Sequence, residues 1–119
     1  MTTTISHPHA EFDQYPALLE DLADEFGTEG LTATAARIID AEFMDFHWEG
    51  RFAERLINTL EEFDGEAGTF YRVVIIGYFQ GRYYTATCLK DDAQRVFWML
   101  NPRTFEGYEA ALETFTAGG

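Results

Sequence analysis

Residues 70–90 read FYRVVIIGYFQGRYYTATCLK, and this stretch decides the fold. Its first half contains four consecutive β-branched residues, VVII at 73–76, which is typical of a central strand that is covered on both faces. Gln80 and Gly81 then supply a turn, and residues 82–90 alternate as a second strand does. The stretch therefore predicts an antiparallel hairpin at the centre of a sheet.

The pattern on either side of the hairpin predicts an α+β domain. About three N-terminal helices precede a three-stranded antiparallel meander, and a C-terminal helix follows it. A glycine-containing break at residues 64–68 separates the helices from the meander. The predicted elements are helices at residues 16–26, 33–46 (capped by Thr32) and 51–63, strands at residues 70–79, 82–90 and 95–100, and a last helix capped by Thr104.

The third helix rests on the most regular apolar spacing in the chain. Its apolar residues are Phe52, Leu56, Leu60 and Phe63. They recur at steps of four, four and three, which matches one face of an α-helix. The first helix has the same pattern in Leu18, Leu22 and Phe26.

Composition predicts one soluble domain, with residues 1–14 as an extended leader and residues 15–119 as a single α+β unit. The chain has 119 residues, of which 46% are apolar and 16% aromatic, as in a globular protein with one core. The N-terminus has neither a basic segment nor an apolar run, and no stretch is long enough to cross a bilayer, so we expect a cytoplasmic protein without membrane contact. The single cysteine, Cys88, excludes an internal disulfide and a thiolate metal site.

Motifs for catalysis or cofactor binding are absent from the sequence. It has no glycine-rich phosphate loop, HExxH helix, GxSxG elbow or EF-hand loop. We therefore expect no enzyme activity, no cofactor, no metal and no catalytic residue. The competing enzyme hypothesis needs a site that joins His47 or Cys88 to converging carboxylates, and His7 and His9 form an HxH pair for which no third metal ligand is set by spacing.

The distribution of charge is the strongest functional signal. The net charge is −13, and residues 1–66 carry sixteen acidic residues against three arginines, whereas residues 67–119 carry five residues of each sign. Carboxylates three or four residues apart on a helix lie about 5–6 Å apart, comparable with successive phosphates of a nucleic acid. Such a face predicts a basic protein partner that binds nucleic acid, while the scarcity of lysine and arginine argues against direct nucleic-acid binding. The candidate partner-binding residues are Glu20, Asp21, Asp24, Glu25, Glu54, Glu61, Glu62 and Asp64.

In size, acidity and lack of motifs the chain resembles phage-encoded inhibitors of nucleic-acid-binding defence machinery. This resemblance implies a DNA-mimic type of inhibitor, for example an anti-CRISPR or anti-restriction protein. An immunity protein or antitoxin against a basic nuclease would have the same composition. Two other interpretations remain: an acidic face that only keeps the protein soluble, and a homodimer formed through the sheet edge and its aromatics Tyr84 and Trp98.

Overall fold

The computed structural model describes residues 9–61 and 69–117, and at Glu61 it describes the backbone alone. Helices pack on both faces of one antiparallel sheet, which confirms the α+β class. Among the described residues, no helix is both long and apolar enough to span a membrane. The elements are a 3-10 turn (Ala10–Phe12), α1 (Tyr15–Phe26), α2 (Leu31–Ala41), α3 (Phe43–Glu49), β1 (Arg51–Glu61), β2 (Thr69–Phe79), β3 (Arg82–Asp91), β4 (Val96–Phe105) and α4 (Tyr108–Ala117).

The sheet has four strands in the order β1-β2-β3-β4, so the predicted three-stranded meander is wrong in number. The extra strand is β1, which occupies most of the helix predicted at residues 51–63. The apolar residues of the predicted helix do not share one face of the strand, because the register shifts in β1 place Phe52 with the α4-side core and Leu56 beside Val73 on the opposite face. Because β2 is largely buried, its backbone N–H and C=O groups need hydrogen-bond partners along both edges, and β1 occupies the edge that β3 leaves open.

Three other predicted helix features are wrong. The helix predicted at residues 33–46 is divided into α2 and α3 at Glu42, which leaves the helical conformation with φ −119° and ψ 38°. Thr32 lies inside α2, because that helix begins after Gly30, whose φ of 69° belongs to the left-handed region. Phe26, expected in the apolar stripe of α1, is 67% exposed.

The end of the chain also differs from the prediction. β4 continues to Phe105, five residues beyond the predicted end of that strand, so Thr104 lies in a strand and caps no helix. The predicted break at residues 64–68 and residues 1–8 of the predicted leader lie outside the described residues.

β2 sends alternate side chains into two separate cores. On one face Ile75 packs with Trp48 under α1, α2 and α3, and on the opposite face Ile76 packs with Phe115 of α4. Ile75 is 0% and Ile76 1% exposed, and each such burial contributes about 2 kcal/mol. We refer to these surfaces of the sheet as the α1–α3 face and the α4 face.

Asp13 holds the turn between β2 and β3. Its carboxylate accepts hydrogen bonds from the backbone N–H groups of Gln80 (2.9 Å) and Gly81 (2.8 Å), which both have positive φ. It also accepts a bond from the N–H of Tyr15, at 3.0 Å, in the first turn of α1. One side chain thereby joins the start of the helical layer to the hairpin predicted from the sequence.

Tyr84 joins the centre of the sheet to α3. Its buried hydroxyl donates a hydrogen bond to the carbonyl oxygen of His47, near the C-terminal end of that helix. Gly77 lies opposite Tyr84 on β2, and a Cβ at this position would overlap the tyrosine hydroxyl and the carbonyl oxygen of Gly50. Position 77 must therefore be glycine for the ring to cross the sheet surface and reach the helix.

We expect Tyr84→Phe to lower the free energy of unfolding by about 1–2 kcal/mol, because it leaves the buried His47 carbonyl without a donor. Urea denaturation measures the loss. The matched control is Tyr71→Phe, since the Tyr71 hydroxyl donates to Asp92 at an exposed site, and we expect a change below about 0.5 kcal/mol there. Equal losses in the two variants would show that the bond to α3 has no special role.

Candidate protein-binding surface

The helices of the α1–α3 face carry a dense set of carboxylates, which we term the acidic layer. All nine of its members are exposed, and residues 9–50 contain one arginine, Arg37, and no lysine. Within the described residues none of the nine forms an ion pair. The acidic layer consists of Glu20, Asp21, Asp24, Glu25, Glu29, Asp40, Glu42, Asp45 and Glu49.

Four predicted site residues lie together on α1. Glu20, Asp21, Asp24 and Glu25 are all exposed, and the same helix buries Leu22, which is 6% exposed. Like charges at these spacings destabilise a helix by a few tenths of a kcal/mol per pair. The repulsion within this group is not relieved by a basic neighbour in the described residues.

In α1 and α2 the charges also oppose the helix dipole. Helices favour acidic residues in the first turn and basic residues in the last, by about 0.3–1 kcal/mol each. α1 has no acidic residue in its first turn and no basic residue in its last, where Asp24 and Glu25 lie instead. α2 repeats this arrangement with Asp40 near its C-terminal end. The acidic layer therefore lowers helix stability in α1 and α2, whereas in α3 Asp45 lies in the first turn, which the dipole favours.

Glu54, also predicted for this surface, belongs to the sheet and is neutralised internally. It lies on β1, and its carboxylate accepts bonds from Lys90 and Arg51, both at 2.8 Å. Partial burial alone would raise the pKa of Glu54, but the hydrogen bonds from Lys90 and Arg51 outweigh that effect and lower the pKa. Its assignment to an unpaired helical face is corrected, because residues 51–61 form β1 instead of the predicted helix.

The other three predicted residues have no described side chain. Glu61 is the last residue of β1, with only its backbone described, and Glu62 and Asp64 lie outside the described residues. The structure therefore assembles four of the eight predicted carboxylates on α1 and places a fifth elsewhere.

The acidic layer lines a cleft whose carboxylates are not among the predicted partner-binding residues. Glu42, Asp45 and Glu49 line a concavity of about 170 Å³ between α3 and the start of α1, with Phe46 and Gln14 completing its wall. These carboxylates follow one another at steps of three and four, which is a helical spacing visible in the sequence. α2 ends and α3 begins at Glu42. The apolar periodicity of residues 33–46 did not predict this break.

A larger cleft on the sheet, of about 350 Å³, is lined by groups that bond to one another. Lys90 donates to Glu54 at 2.8 Å and to Gln94 at 3.0 Å, and the Tyr71 hydroxyl donates to Asp92. Because these polar groups already satisfy one another, the cleft offers little unmet hydrogen bonding to a ligand. It is the weaker candidate for a binding site.

The residues of the competing enzyme hypothesis are packed in the core. Cys88 is 0% exposed, and burial raises the pKa of its thiol to about 12. His47 is 7% exposed, its Nδ1 lies 2.8 Å from the carbonyl oxygen of Phe43, and its ring stacks on the Phe43 ring with 4.0 Å between centroids. Neither side chain is presented to solvent as a nucleophile or base.

His9, half of the HxH pair, packs against the α4 face. Its ring stacks on Phe52 at a centroid distance of 3.9 Å, and its Nδ1 lies 3.0 Å from the Tyr83 hydroxyl. Across the described residues, no three His, Cys, Asp or Glu side chains are grouped as a metal ion would require.

Comparisons with known proteins return no relative. No protein-family model matches the chain, and neither does any curated protein or solved structure.

We expect His47 to make folding sensitive to mild acid. Burial lowers the pKa of His47 in the folded state below its ordinary value of 6.5. At a pH just below 6.5 the histidine is therefore protonated more often in the unfolded chain than in the folded chain. Stability is therefore lost as the pH falls through about 6.5. Urea denaturation at about pH 7.5 and about pH 5.5 should show a loss about 1 kcal/mol larger in the wild type than in His47→Gln. Parallel behaviour of the two proteins would contradict this role.

Proposed function

We propose that this protein is a non-catalytic binding protein whose acidic layer occupies the cationic nucleic-acid groove of a basic partner. It would then act as a DNA-mimic type of inhibitor, of the kind found among anti-CRISPR and anti-restriction proteins. The observation that carries the proposal is the exposure of nine carboxylates on one layer, none of which pairs with a cation of the described residues.

The free protein has an unfavourable electrostatic energy that a basic partner would remove. The carboxylates of α1 repel one another and oppose the helix dipole, so each contributes unfavourably to the isolated fold. Arginine and lysine side chains of a basic groove would neutralise both effects. They would also be attracted from a distance by the −13 charge of the chain.

Two features favour a protein partner over a merely solubilising role. Phe26 is 67% exposed directly after Asp24 and Glu25, and an exposed aromatic ring favours contact with another protein rather than solubility. The cleft lined by Glu42, Asp45 and Glu49 has the apolar Phe46 among its walls. A guanidinium group with its aliphatic stem fits such a lining, because it can pair with carboxylates while its stem packs on a ring.

The proposal is tested by reversing the charge of α1. The variant carries Asp21→Lys, Asp24→Lys and Glu25→Lys. Proteins captured by the wild-type chain from its native host are identified, and each purified partner is measured by titration. We expect the variant to bind about a hundredfold more weakly or worse, and we expect duplex DNA to compete with the wild-type protein for the same partner.

A matched control has the same change of charge on the opposite side of the sheet. Glu106, Glu109 and Glu113 are exposed in or just before α4, and their triple replacement by lysine alters the net charge equally. We expect this control to bind within about threefold of the wild type at about 0.15 M salt, where charges beyond about 8 Å are screened. Equal losses in both variants, or no loss in either, would remove the acidic layer from the proposal.

Stability provides an independent check on the same variant. Since lysines near the C-terminal end of α1 complement the helix dipole, the α1 variant should unfold at a higher temperature than the wild type. A variant that is more stable and yet has lost its partner would separate binding from folding. If a captured partner proves to be a nuclease whose activity is blocked, the protein acts as an immunity protein or antitoxin through the same surface.

A further inference from the structure

A small concavity of about 180 Å³ lies on the α4 face, where β2, β3, β4 and α4 each contribute to its wall. Its lining includes polar side chains from β3, β4 and α4 and contains no carboxylate. We term this site the threonine cleft. Its polar side chains are those of Thr85, Thr87, Asn101, Arg103 and Thr114.

The polar groups of the threonine cleft have no hydrogen-bond partner among the described residues. Thr85 is the clearest case, because it is 2% exposed and yet its hydroxyl forms no hydrogen bond in this part of the chain. Since the residue is otherwise enclosed, its hydroxyl can bond only to what enters the cleft. Arg103 likewise forms no ion pair with a described residue. The cleft therefore offers the unmet hydrogen bonding that a ligand can satisfy.

A bulge in β4 brings Asn101 and Arg103 to this side of the sheet. Thr85 pairs with Arg103, and Thr87 pairs with Leu100, so β4 has one residue more than β3 in this interval. In a regular strand, Asn101 and Arg103 would alternate with Leu100 and point to the opposite face. Asn101 has a φ of 53°, in the left-handed region that asparagine tolerates better than most residues. Bulges are over-represented beside active sites, where they redirect side chains in this way.

We propose that the threonine cleft binds a small tetrahedral oxyanion, of which phosphate is the simplest member. A guanidinium group has only donors, and hydroxyl and amide groups can donate as well, so the lining suits a ligand rich in acceptor oxygens. The donors belong to three elements, β3, β4 and α4, and therefore surround an ion instead of facing one edge of it. A tetrahedral ion presents oxygens in every direction, whereas a planar carboxylate presents both of its oxygens along one edge.

The size of the cleft also favours a small ion. Its volume of about 180 Å³ lies below the roughly 300–1,000 Å³ of clefts that enclose drug-sized ligands. A phosphate ion, or the phosphoryl group of a small ester, matches this volume better than a nucleotide does. Arg103 supplies the charge-assisted hydrogen bonds that hold such a group most strongly.

The charge distribution permits an anion on this face although the net charge is −13. The acidic layer lies across the sheet, and packed layers are about 10 Å apart, beyond the Debye length of about 8 Å at physiological salt. Residues 67–119 carry five residues of each sign. Glu113 is next to Thr114 in the sequence, but it is exposed and does not line the cleft. Arg103 is therefore the charged group that lines the site.

Other parts of the sheet offer less to a ligand or to a second chain. In the cleft of about 350 Å³, Lys90 and Tyr71 already bond to neighbouring side chains. The homodimer predicted through the sheet edge depends on Tyr84 and Trp98, but Tyr84 is 2% exposed on the interior strand β3. That prediction is therefore wrong in its use of Tyr84.

Titration of the full chain with inorganic phosphate tests the proposal. Binding is followed through amide chemical shifts at a constant ionic strength of about 0.15 M. We expect a dissociation constant of about 1 mM or below, and we expect acetate to bind about tenfold more weakly or worse. Absence of any phosphate-dependent shift up to about 20 mM, or equal binding of acetate, overturns the proposal. Either result leaves the proposed role of the acidic layer intact, because that layer lies on the other face.

Glycerol phosphate distinguishes two sources of the same chemistry. If this phosphomonoester binds more tightly than inorganic phosphate, the site belongs to a small phosphorylated molecule. If it binds more weakly, the site belongs to the free ion. Both results require that the shifts centre on the threonine cleft, and shifts centred elsewhere contradict the assignment.

Thr85→Val and Arg103→Gln locate the site. Valine has the shape of threonine without the hydroxyl, and this hydroxyl has no partner among the described residues. We therefore expect the free Thr85→Val protein to be as stable as the wild type in urea denaturation, while it binds phosphate about tenfold more weakly. Arg103→Gln should weaken binding about tenfold or more, because it removes the charged donor.

Matched controls change the same residue types outside the cleft. Thr116→Val removes a hydroxyl that donates to the carbonyl oxygen of Glu113 at the exposed end of α4, and Arg82→Gln removes an exposed cation from the α1–α3 face. We expect each control to alter phosphate binding less than about twofold. A control that loses as much affinity as its matched variant would show that the ion does not bind in the threonine cleft.

Discussion

The burial of β2 on both of its faces is the constraint on which the rest of the structure depends. Because Ile75 and Ile76 point to opposite sides and are both almost completely buried, the sheet must be covered twice. The helices before the sheet cover one face, and α4 covers part of the other. The same requirement brings in β1 as a neighbour, although the periodicity of residues 51–63 favours a helix. Tyr84 and Asp13 then hold the helical layer in register with the sheet.

This arrangement separates the two kinds of surface that the protein exposes. The helices of the α1–α3 face expose carboxylates that are unpaired within the described residues. On the sheet, by contrast, Glu54 and Asp91 form ion pairs with neighbouring cations. Glu54 illustrates the difference. It was predicted to lie on an acidic helix, but it lies on β1 and pairs with Arg51 and Lys90. The acidic layer and the exposed apolar side chains Leu100 and Phe97 thus occupy different sides of the same sheet.

Much of the fold was predictable where short segments carry a clear signal. The β2–β3 hairpin and α1 were predicted to within a residue or two, because β-branched runs, a glycine turn and heptad-like spacing act over a few residues. The candidate site was predictable to the same extent, since Glu20, Asp21, Asp24 and Glu25 lie on that well-signalled helix. The cleft at Glu42, Asp45 and Glu49 was not, because it depends on how α3 turns away from α2 and meets the start of α1.

The sequence by itself determined the composition of each surface: the acidic first half, the apolar strand at residues 73–76, and the absence of known catalytic motifs. The tertiary structure alone decided that residues 51–61 form a strand, that Cys88 and His47 are packed in the core, and that Leu100 and Phe97 face solvent. The physical reason is that the apolar spacing of residues 51–61 favours a helix locally, whereas in the strand the register shifts place Phe52 and Leu56 on opposite faces. Only the need of β2 for a hydrogen-bonded neighbour, which is a long-range interaction, chooses between the two.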